Sequence, residues 1–443
     1  MTKANAIHFP SFHRAVVAGL SALVMSGAPL DANAADLGGN CCADLEERIA
    51  ELEATTARKG NRKVSLTITG YVAQELTMWD DGGEKNAYLH GLGPTQATNV
   101  RFTGQVQIMP GVTAGYMLRI QNLEDNAFGR DATTGASFNQ NSATFSTGPN
   151  VQMSYWYVQS KDLGKVSVGR QANAAKSAAM FTDQSGTQVF DNYTFLNGFP
   201  QFFLRNSTTG ALSKVTWGNL GFCYAQAVPL GGDCNGLVMN AVRYDSPLFA
   251  GFSASASWGE NDVWEVATRY TGEMSGFKLL FGAGYSQFTD ENVTGPSVTK
   301  HKDSNVFQVG GYIQHIASGL FVHAAYGLED NNKTLLTNGT TALDSDQYYV
   351  KAGIRQEWTP LGATIVYGDY AEYVDQLGPA ALKAGATSST LSRYGGGIAQ
   401  EIDAAAMTVY LKYQHMTADV DGAASLSNLE NIDFVSVGGI VNF

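Results

Sequence analysis

The sequence predicts an all-β protein, a transmembrane antiparallel β-barrel of 16 to 18 strands with one inward-folded loop, preceded by a short coiled-coil helix. Three observations support the barrel. Apolar and polar residues alternate with a period of two, short turns alternate with long polar loops, and only 15% of the 443 residues are charged, against about 25% in an average globular protein. No run reaches the ~18 apolar residues of a spanning helix, which excludes a helical membrane protein.

Residues 1–34 have the features of a secretory signal peptide. Lys3 and Arg14 precede the apolar stretch "AVVAGLSALVM", and residues 32–34 read "ANA", a small-residue cleavage site. The alternative is an N-terminal helix of the folded protein. Export would place the mature chain in an oxidising compartment, where disulfides persist.

Residues 35–63 are predicted to form a periplasmic segment with a short coiled coil. Leu45, Ile49, Leu52 and Thr56 are four, three and four residues apart, which is an a/d spacing over about two heptads. Such a helix is marginal alone, so we expect it to associate with its own copies. The alternative is an ordinary amphipathic helix that covers one end of a domain.

Four cysteines are candidates for disulfides. Cys223 and Cys234 flank "YAQAVPLGGD" and would lie nearly opposite each other in a hairpin, which predicts a bond between them. Cys41 and Cys42 are adjacent and cannot easily pair with each other. They are therefore free, metal-loaded or joined to other chains, and three associated copies would bring them together.

The barrel is predicted to span residues 64–443. In "TNVRFTGQVQI", Val100 and Phe102 alternate with polar residues, and "MTVYLKYQH" places Val409 and Leu411 in the same way. We expect these four side chains to face lipid and their neighbours to face a wet lumen. A barrel this wide encloses an aqueous channel.

Short turns and long polar loops divide the chain into hairpins. One strand before the first turn, eight hairpins and a last strand give eighteen strands, with sixteen as the alternative. The long loops include residues 80–97, 124–150, 290–303 and 374–390. The eight short turns are placed at Met109, Lys161, Gly218, Ser246, Glu273, Ala317, Thr359 and Asp403.

The chain ends in the alternating segment "DFVSVGGIVNF". A barrel in lipid must pair its last strand with its first, because open edges leave backbone groups unsatisfied. This segment resembles the C-terminal signature of outer-membrane proteins, with Phe443 as the assembly signal that the barrel assembly machinery reads.

Several segments resemble the general bacterial porins, particularly those of alphaproteobacteria. They are residues 154–171 ("SYWYVQSKDLGKVSVGRQ"), 202–207 ("FFLRNS") and 240–258 ("NAVRYDSPLFAGFSASASW"), with Phe443. The resemblance implies a homotrimer of water-filled barrels among outer-membrane lipid and lipopolysaccharide. It implies passive diffusion of small hydrophilic solutes and ions, and offers peptidoglycan as a partner of the new N-terminus.

In such porins the third long loop narrows the pore and sets acids opposite arginines on the wall. The corresponding loop here covers residues 172–200, with Asp183 and Asp191 as its acids, and the resemblance implies Arg101 and Arg205 as wall arginines. The acidic "PEFGG"-like tip of the family is missing.

Strand parity alone adds Arg119, Arg243 and Arg269 to the inward-facing arginines. Gln152 stands where related porins often have an arginine, so the basic ladder is expected to be thinner. Basic walls favour anions, whereas the negative mature charge concentrates cations at the mouth. We expect weak selectivity, whose sign the sequence leaves open.

Other functions receive less support. The scattered histidines form no HExxH, GxSxG or CxxC arrangement, so we predict no enzyme, catalytic residue, metal, cofactor or nucleic-acid partner. A plugged receptor would need more than the short segment before the barrel. The remaining alternative is a substrate-selective channel, for example one that binds sugars. Its stacking track would be Tyr348, Tyr349, Tyr367, Tyr370 and Tyr373, although girdle tyrosines explain the same residues.

Overall fold

The computed structural model describes residues 64–93, 96–122, 149–194, 200–290, 299–331, 333–336 and 339–443. The predicted signal peptide, the coiled coil, Cys41 and Cys42 lie outside these residues. No helix within them has the length and apolar character needed to cross a membrane.

Twenty strands are present in these ranges. The first ten are β1 Thr67–Asp80, β2 Lys85–His90, β3 Asn99–Met109, β4 Val112–Asn122, β5 Pro149–Ser160, β6 Gly164–Ala172, β7 Phe203–Arg205, β8 Leu212–Thr216, β9 Val238–Asp245 and β10 Phe252–Gly259. The others are β11 Trp264–Met274, β12 Phe277–Asp290, β13 Thr299–His315, β14 Leu320–Asp330, β15 Leu335–Leu336, β16 Ser345–Thr359, β17 Gly362–Val374, β18 Ser388–Ile402, β19 Met407–Asp421 and β20 Ile432–Asn442.

The helices are short. One α-helix covers Pro379–Lys383. The 3₁₀ helices are Met180–Thr182, Trp217–Leu220, Glu260–Asp262, Asp403–Ala405 and Ala424–Leu426.

Sixteen strands form a closed antiparallel barrel, and β2, β7, β8 and β15 lie outside its wall. Consecutive wall strands pair with each other, and β1 closes the barrel on β20 in a register that runs from Tyr71 opposite Asn442 to Asp80 opposite Asp433. Phe443 extends this pairing, because its N–H and C=O both bond to the backbone of Gly70. Closure leaves no wall strand with an unpaired edge, as a hydrocarbon environment requires.

Seven of the eight predicted short turns join wall strands. The eighth, at Gly218, is wrong. Gly218 lies in the 3₁₀ helix Trp217–Leu220, and the preceding strands β7 and β8 form a separate two-stranded sheet. Removing that hairpin from the count leaves sixteen wall strands rather than eighteen.

The two faces of the wall differ as period-two alternation demands. On β1, Val72 and Leu76 are exposed at 50% and 43%, whereas Ala73 and Glu75 between them are buried. On β19, Leu411 is exposed and the adjacent Lys412 is buried. Apolar side chains therefore cover the outer surface, and the polar side chains of the same strands turn inward.

The long segment between β6 and β9 folds into the barrel in its described parts, residues 173–194 and 200–237, which we call the inner loop. Its first lobe, residues 173–194, follows the wall, and its second lobe, residues 200–237, carries β7 and β8. Phe202 packs edge-on against Trp79 of β1 with ring centroids 4.9 Å apart. The largest apolar cluster joins the second lobe to the wall through Trp79, Tyr88, Phe202, Leu204, Trp217, Leu220, Phe434 and their neighbours.

Candidate functional site

The first lobe of the inner loop touches the wall where the wall strands carry glycine. A Cβ on Gly282 of β12 would lie 2.4 Å from the carbonyl oxygen of Ala178, and one on Gly310 of β13 would lie 2.7 Å from that of Ala179. Real Cβ atoms do not approach so closely, so only glycine permits this backbone contact. The loop backbone can therefore pack directly on β12 and β13, because Gly282 and Gly310 have no side chains.

Lys351 of β16 is the main polar anchor of the first lobe. Its fully buried Nζ donates to Asp183 Oδ2 at 2.8 Å, to Thr187 Oγ1 at 2.6 Å and to the carbonyl oxygen of Asp191 at 2.7 Å. Burial raises the pKa of Asp183, but the neighbouring Lys351 and His323 outweigh burial and hold that pKa below its ordinary value. Asp183 is therefore ionised at neutral pH and paired with Lys351.

Asp191 is bound by two wall strands. Tyr367 of β17 donates its hydroxyl to Asp191 Oδ2 at 2.6 Å, and Gln414 of β19 donates to Oδ1 at 3.1 Å. The predicted acids of the loop, Asp183 and Asp191, are thus both buried. We expected these acids to face arginines across the pore. In the structure both carboxylates are instead bound by the wall strands against which the loop packs, through Lys351 for Asp183 and through Tyr367 and Gln414 for Asp191.

Two further cations bind the loop backbone to the wall. Lys412 of β19 donates to the carbonyl oxygen of Phe190 at 2.8 Å and pairs with Glu75 of β1 at 3.1 Å. Arg393 of β18 donates to the carbonyl oxygen of Asn192 at 2.6 Å, and it pairs with Asp369 of β17 at 3.2 Å. We call the inward side of β14 and β16–β19 the loop-bound wall.

Arg101 of β3 and Arg119 of β4 are direct cross-strand partners on another part of the barrel. Arg101 Nε donates to Asn99 Oδ1 at 3.1 Å. Arg119 is 8% exposed, and its Nε and Nη2 have no hydrogen-bond partner within the described ranges. Neither guanidinium forms an ion pair there, so both positive charges are left without a fixed counter-charge.

Arg243 of β9 and Arg269 of β11 continue this positive surface. Arg243 donates to Asp245 Oδ1 and to the carbonyl oxygens of Ala172 and Asn173. Tyr155 of β5 interacts electrostatically with both Arg101 and Arg243, so the two pairs of arginines are neighbours. We call the inward side that carries Arg101, Arg119, Arg243 and Arg269 the basic wall.

Comparison with known proteins decides what kind of barrel this is. The sequence model of the Gram-negative porins matches residues 19–443. The chain belongs to the Gram-negative porin family. Comparison with curated protein sequences gives no match.

Solved structures share the fold of this porin. An anion-selective porin from Comamonas acidovorans is 14% identical, with 86% of this chain and 100% of that one covered and a TM-score of 0.53. OmpF of Salmonella typhi in complex with daunomycin is 15% identical, with 86% and 98% covered and a TM-score of 0.52. A loop L8 deletion mutant of OmpT, an outer membrane protein of Vibrio cholerae, is 12% identical, with 86% and 100% covered and a TM-score of 0.50.

The family and the sixteen-strand barrel together define the activity. The porin is a channel of the bacterial outer membrane through which small hydrophilic solutes and ions diffuse passively. The driving force is the solute gradient, and the protein contributes the path across the membrane.

Arg205 does not lie on the wall of the porin, so that prediction is wrong. It belongs to β7 in the second lobe, where it pairs with Asp81 at 2.9 Å and donates to the carbonyl oxygen of Gly210. Its role is to join the inner loop to the segment after β1. The segment "FFLRNS" has the alternation of a wall strand, but its apolar side chains pack on the inner core instead of facing lipid.

The five tyrosines of the selective-channel alternative do not form a track. Tyr348 and Tyr370 are exposed at 48% and 37%, on the outer side of β16 and β17. Tyr349, Tyr367 and Tyr373 are buried against the inner loop, where Tyr373 donates its hydroxyl to the carbonyl oxygen of Tyr193. Sugar binding by these residues therefore has no support in the geometry of the porin.

Cys223 and Cys234 are joined by a disulfide within the second lobe. Glu329 of β14 lies close to both sulfurs, but bonded sulfurs carry no thiolate for a metal. Its carboxylate instead accepts hydrogen bonds from the backbone N–H groups of Tyr224 and Ala225. The disulfide and this contact hold the second lobe to the wall.

Sequence reasoning missed the cations that anchor the loop. Lys351, Arg393 and Lys412 are single charges at inward positions of otherwise alternating strands, and that signal was available in the sequence. Their partners were not, because Lys351 and Asp183 are 168 residues apart. Parity distinguishes lumen from lipid, but it does not say which inward charges are covered by the loop.

Proposed function

We propose that this porin is a general diffusion channel whose lumen favours anions, and that it has no catalytic role. One observation carries the proposal: the acids predicted to oppose the arginines are buried and bonded to the wall, Asp183 by Lys351 and Asp191 by Tyr367 and Gln414, whereas Arg101 and Arg119 form no ion pair within the described ranges. The residual charge of the constricted zone is therefore positive. This supports an assignment of the sign that the sequence left open.

The acidic loops of the chain do not reverse this preference. The net charge of −12 is distributed over the whole protein, and salt screens exposed charges beyond about 8 Å at physiological ionic strength. Charges inside a narrow lumen are screened much less, so they dominate the free energy of a permeating ion. Arg101 and Arg119 support the assignment most strongly, since they are cross-strand partners and neither forms an ion pair within the described ranges.

The reversal potential across a planar bilayer in a KCl gradient tests this proposal. The unmodified porin should give an anion-favouring potential, and Arg101→Gln combined with Arg119→Gln should lower the chloride-to-potassium permeability ratio by about twofold or more. Lys333→Gln is the matched control, because it removes one positive charge from a side chain that is 77% exposed. An unchanged reversal potential in the double variant would show that the basic wall does not control selectivity.

We further propose a homotrimer with residues 35–63 in the periplasm after cleavage of residues 1–34. The family resemblance and the a/d spacing of Leu45, Ile49 and Leu52 support this arrangement. Cys41 and Cys42 would then meet their copies near the threefold axis. A denaturation-resistant band on non-reducing gels should collapse with reductant, and Cys41→Ser with Cys42→Ser should remove it. A band that survives both treatments would leave contacts between barrels as its cause.

We also propose that Phe443 serves as the signal for the barrel assembly machinery. Its side chain is 53% exposed at the end of the closing strand, where a partner can reach it. Phe443→Ala should reduce the amount of assembled porin in cells without changing the conductance of channels that do form. Equal amounts of assembled protein would argue against the signal.

A further inference from the structure

A cavity of about 310 Å³ lies in the lumen between the basic wall and the first lobe of the inner loop. Its volume falls at the lower end of the range of small-molecule pockets, about 300–1,000 Å³. Lys176, Arg243 and Arg269 give it three cations, whereas Asp245 is the acid among its lining residues. Ser246, Ser253 and Ser255 add hydroxyl groups, so the cavity is suited to an anion.

Phe181 closes one side of this cavity. The side chain is 46% exposed, although its neighbours Thr182 and Asp183 are buried in the contact between loop and wall. Phe181 is part of the inner loop, so its exposure is toward the lumen and not toward lipid. A large aromatic side chain left in water inside a polar channel gains nothing from burial, and it offers a flat apolar face to a solute.

The turn that presents Phe181 is held in an unfavourable conformation. Ser177 has a φ of 49°, in the left-handed region that a residue with a Cβ seldom adopts. Ser177 Oγ donates to Asp233 Oδ2 at 2.6 Å, and the N–H of Phe181 donates to the carbonyl oxygen of Ser177. Strained backbone that the surrounding contacts maintain is concentrated at functional sites.

Arg269 has hydrogen-bonding capacity to spare. A guanidinium has five N–H donors, and Arg269 uses Nη1 for Ser255 Oγ at 2.9 Å and Nη2 for the carbonyl oxygen of Ala174 at 2.8 Å. Its Nε makes no hydrogen bond to the described part of the chain. In contrast, all three nitrogens of Arg243 already donate hydrogen bonds, to Asp245 and to two carbonyl oxygens. Arg269 is thus held in place while it still offers donors to a carboxylate.

We propose that this cavity is a binding site for small organic anions that join a carboxylate to a flat aromatic ring. The carboxylate binds Arg269 and the ring lies against Phe181. The site rests on the proposed anion preference and adds a solute class to it. Chloride and acetate can bind only Arg269 and therefore dissociate quickly. An aromatic carboxylate binds Arg269 and also packs on Phe181, so it dissociates more slowly.

Single-channel recording with benzoate tests the site. In a chloride electrolyte, benzoate should interrupt or reduce the current in a concentration-dependent and saturable way, and acetate at the same concentration should not. Phe181→Ala should weaken the apparent benzoate affinity by about fivefold and leave the chloride conductance nearly unchanged. Phe181→Leu, which retains apolar volume without a ring, should weaken it to a similar degree, and it serves as the second variant if the alanine protein does not assemble.

Two further variants complete the design. Arg269→Gln should abolish the block by benzoate. Phe252→Ala is the matched control, because Phe252 is 54% exposed on β10 and is not among the lining residues of the cavity. It should bind benzoate as the unmodified porin does.

The outcomes separate this site from the proposed function. Absence of block by benzoate, or block that persists equally in Phe181→Ala and Phe181→Leu, overturns the site. If benzoate blocks through Phe181 but the KCl gradient shows no anion preference, the site stands and the proposed selectivity fails. If the gradient shows anion preference and benzoate does not block, only the site is lost.

Discussion

The loop-bound wall and the basic wall use the same side-chain chemistry for different ends. On the loop-bound wall, Lys351, Arg393 and Lys412 each donate to a backbone carbonyl oxygen of the inner loop. Each also pairs with a carboxylate, which belongs to the loop for Lys351 and to the wall for the other two. On the basic wall, Arg101 and Arg119 form neither an ion pair nor a hydrogen bond to the inner loop within the described ranges. Arg243 and Arg269 lie between these two cases, because each also donates to a carbonyl oxygen of the inner loop. A cation inside this barrel therefore serves the structure to the extent that it binds the loop. Counting inward charges without locating the loop would merge these two classes.

Replacing Lys351 should have the largest effect, because it removes the main anchor between the first lobe and the loop-bound wall. Lys351→Met leaves Asp183 buried beside an apolar group, and an unpaired buried charge costs about 3–5 kcal/mol. The first lobe should detach, which raises single-channel conductance and lowers the temperature at which the folded barrel is lost on gels. Lys85→Met, at a side chain that is 81% exposed, should change neither quantity. A Lys351→Met channel with unmodified conductance would contradict the anchoring role.

An arginine placed on the outer side of the loop-bound wall should also be costly, though for another reason. Val409 of β19 alternates with the inward Tyr410 and Lys412, so Val409→Arg puts a charge on the lipid side. Because Val409 is the third residue of β19 after the short turn, the cost should lie below the ~2–4 kcal/mol of a bilayer-midplane position. Refolding into lipid vesicles at graded urea concentrations measures the loss. Val409→Leu is the conservative control. Equal stability of the arginine and leucine variants would mean that the faces of β19 have been exchanged.

Replacement of Arg205 should separate stability from selectivity. Arg205→Gln removes the ion pair with Asp81 in the second lobe and should cost about 1–3 kcal/mol. Because Arg205 is not on the basic wall, the reversal potential in a KCl gradient should stay that of the unmodified porin. A clear shift toward cations would return Arg205 to the set of residues that act on permeating ions.

Acid should have the smallest effect, and only at low pH. Since Lys351 and His323 hold the pKa of Asp183 below its ordinary 3.8, the stability from this ion pair is present above that value. It is lost as pH falls through the lower pKa of the folded state. The part of the conductance that depends on Asp183 should therefore be constant between pH 7 and pH 5 and rise only below about pH 4. Asp183→Asn lacks the charge at every pH and should show no such rise.

The sequence predicted the wall of the barrel better than its contents. Alternation in β1, β3, β19 and β20 identifies strands with one face in lipid, and it is a local property that needs no knowledge of partners. The segment around Gly218 shows the same alternation, yet it is part of the inner loop. A short strand that packs on an apolar core inside the lumen and one that faces lipid have the same pattern, so period alone cannot distinguish them.

The candidate site was predictable in residue type and not in pairing. Parity placed Arg119, Arg243 and Arg269 on the inward side, because side chains of a strand alternate strictly, whereas the resemblance to porins indicated Arg101. Asp183 and Asp191 were identified as loop acids, but their partners come from strands far along the chain. Which inward charges remain free depends on the path of the inner loop, and that path is fixed by tertiary contacts such as those of Gly282 and Gly310.

The closing pair of strands sets the order in which this molecule can be completed. Thr77 and Ser436 meet across the seam although they are 359 residues apart, so the last contact formed along the wall joins the two ends of the barrel. The loop anchors Lys351, Arg393 and Lys412 are all synthesised after the loop itself. Until β16–β19 are paired, the carboxylate of Asp183 has no lysine to meet, and bringing such distant groups together is slow. The first lobe can therefore be anchored only once β16–β19 have formed, and pairing of β1 with β20 then completes the wall around it.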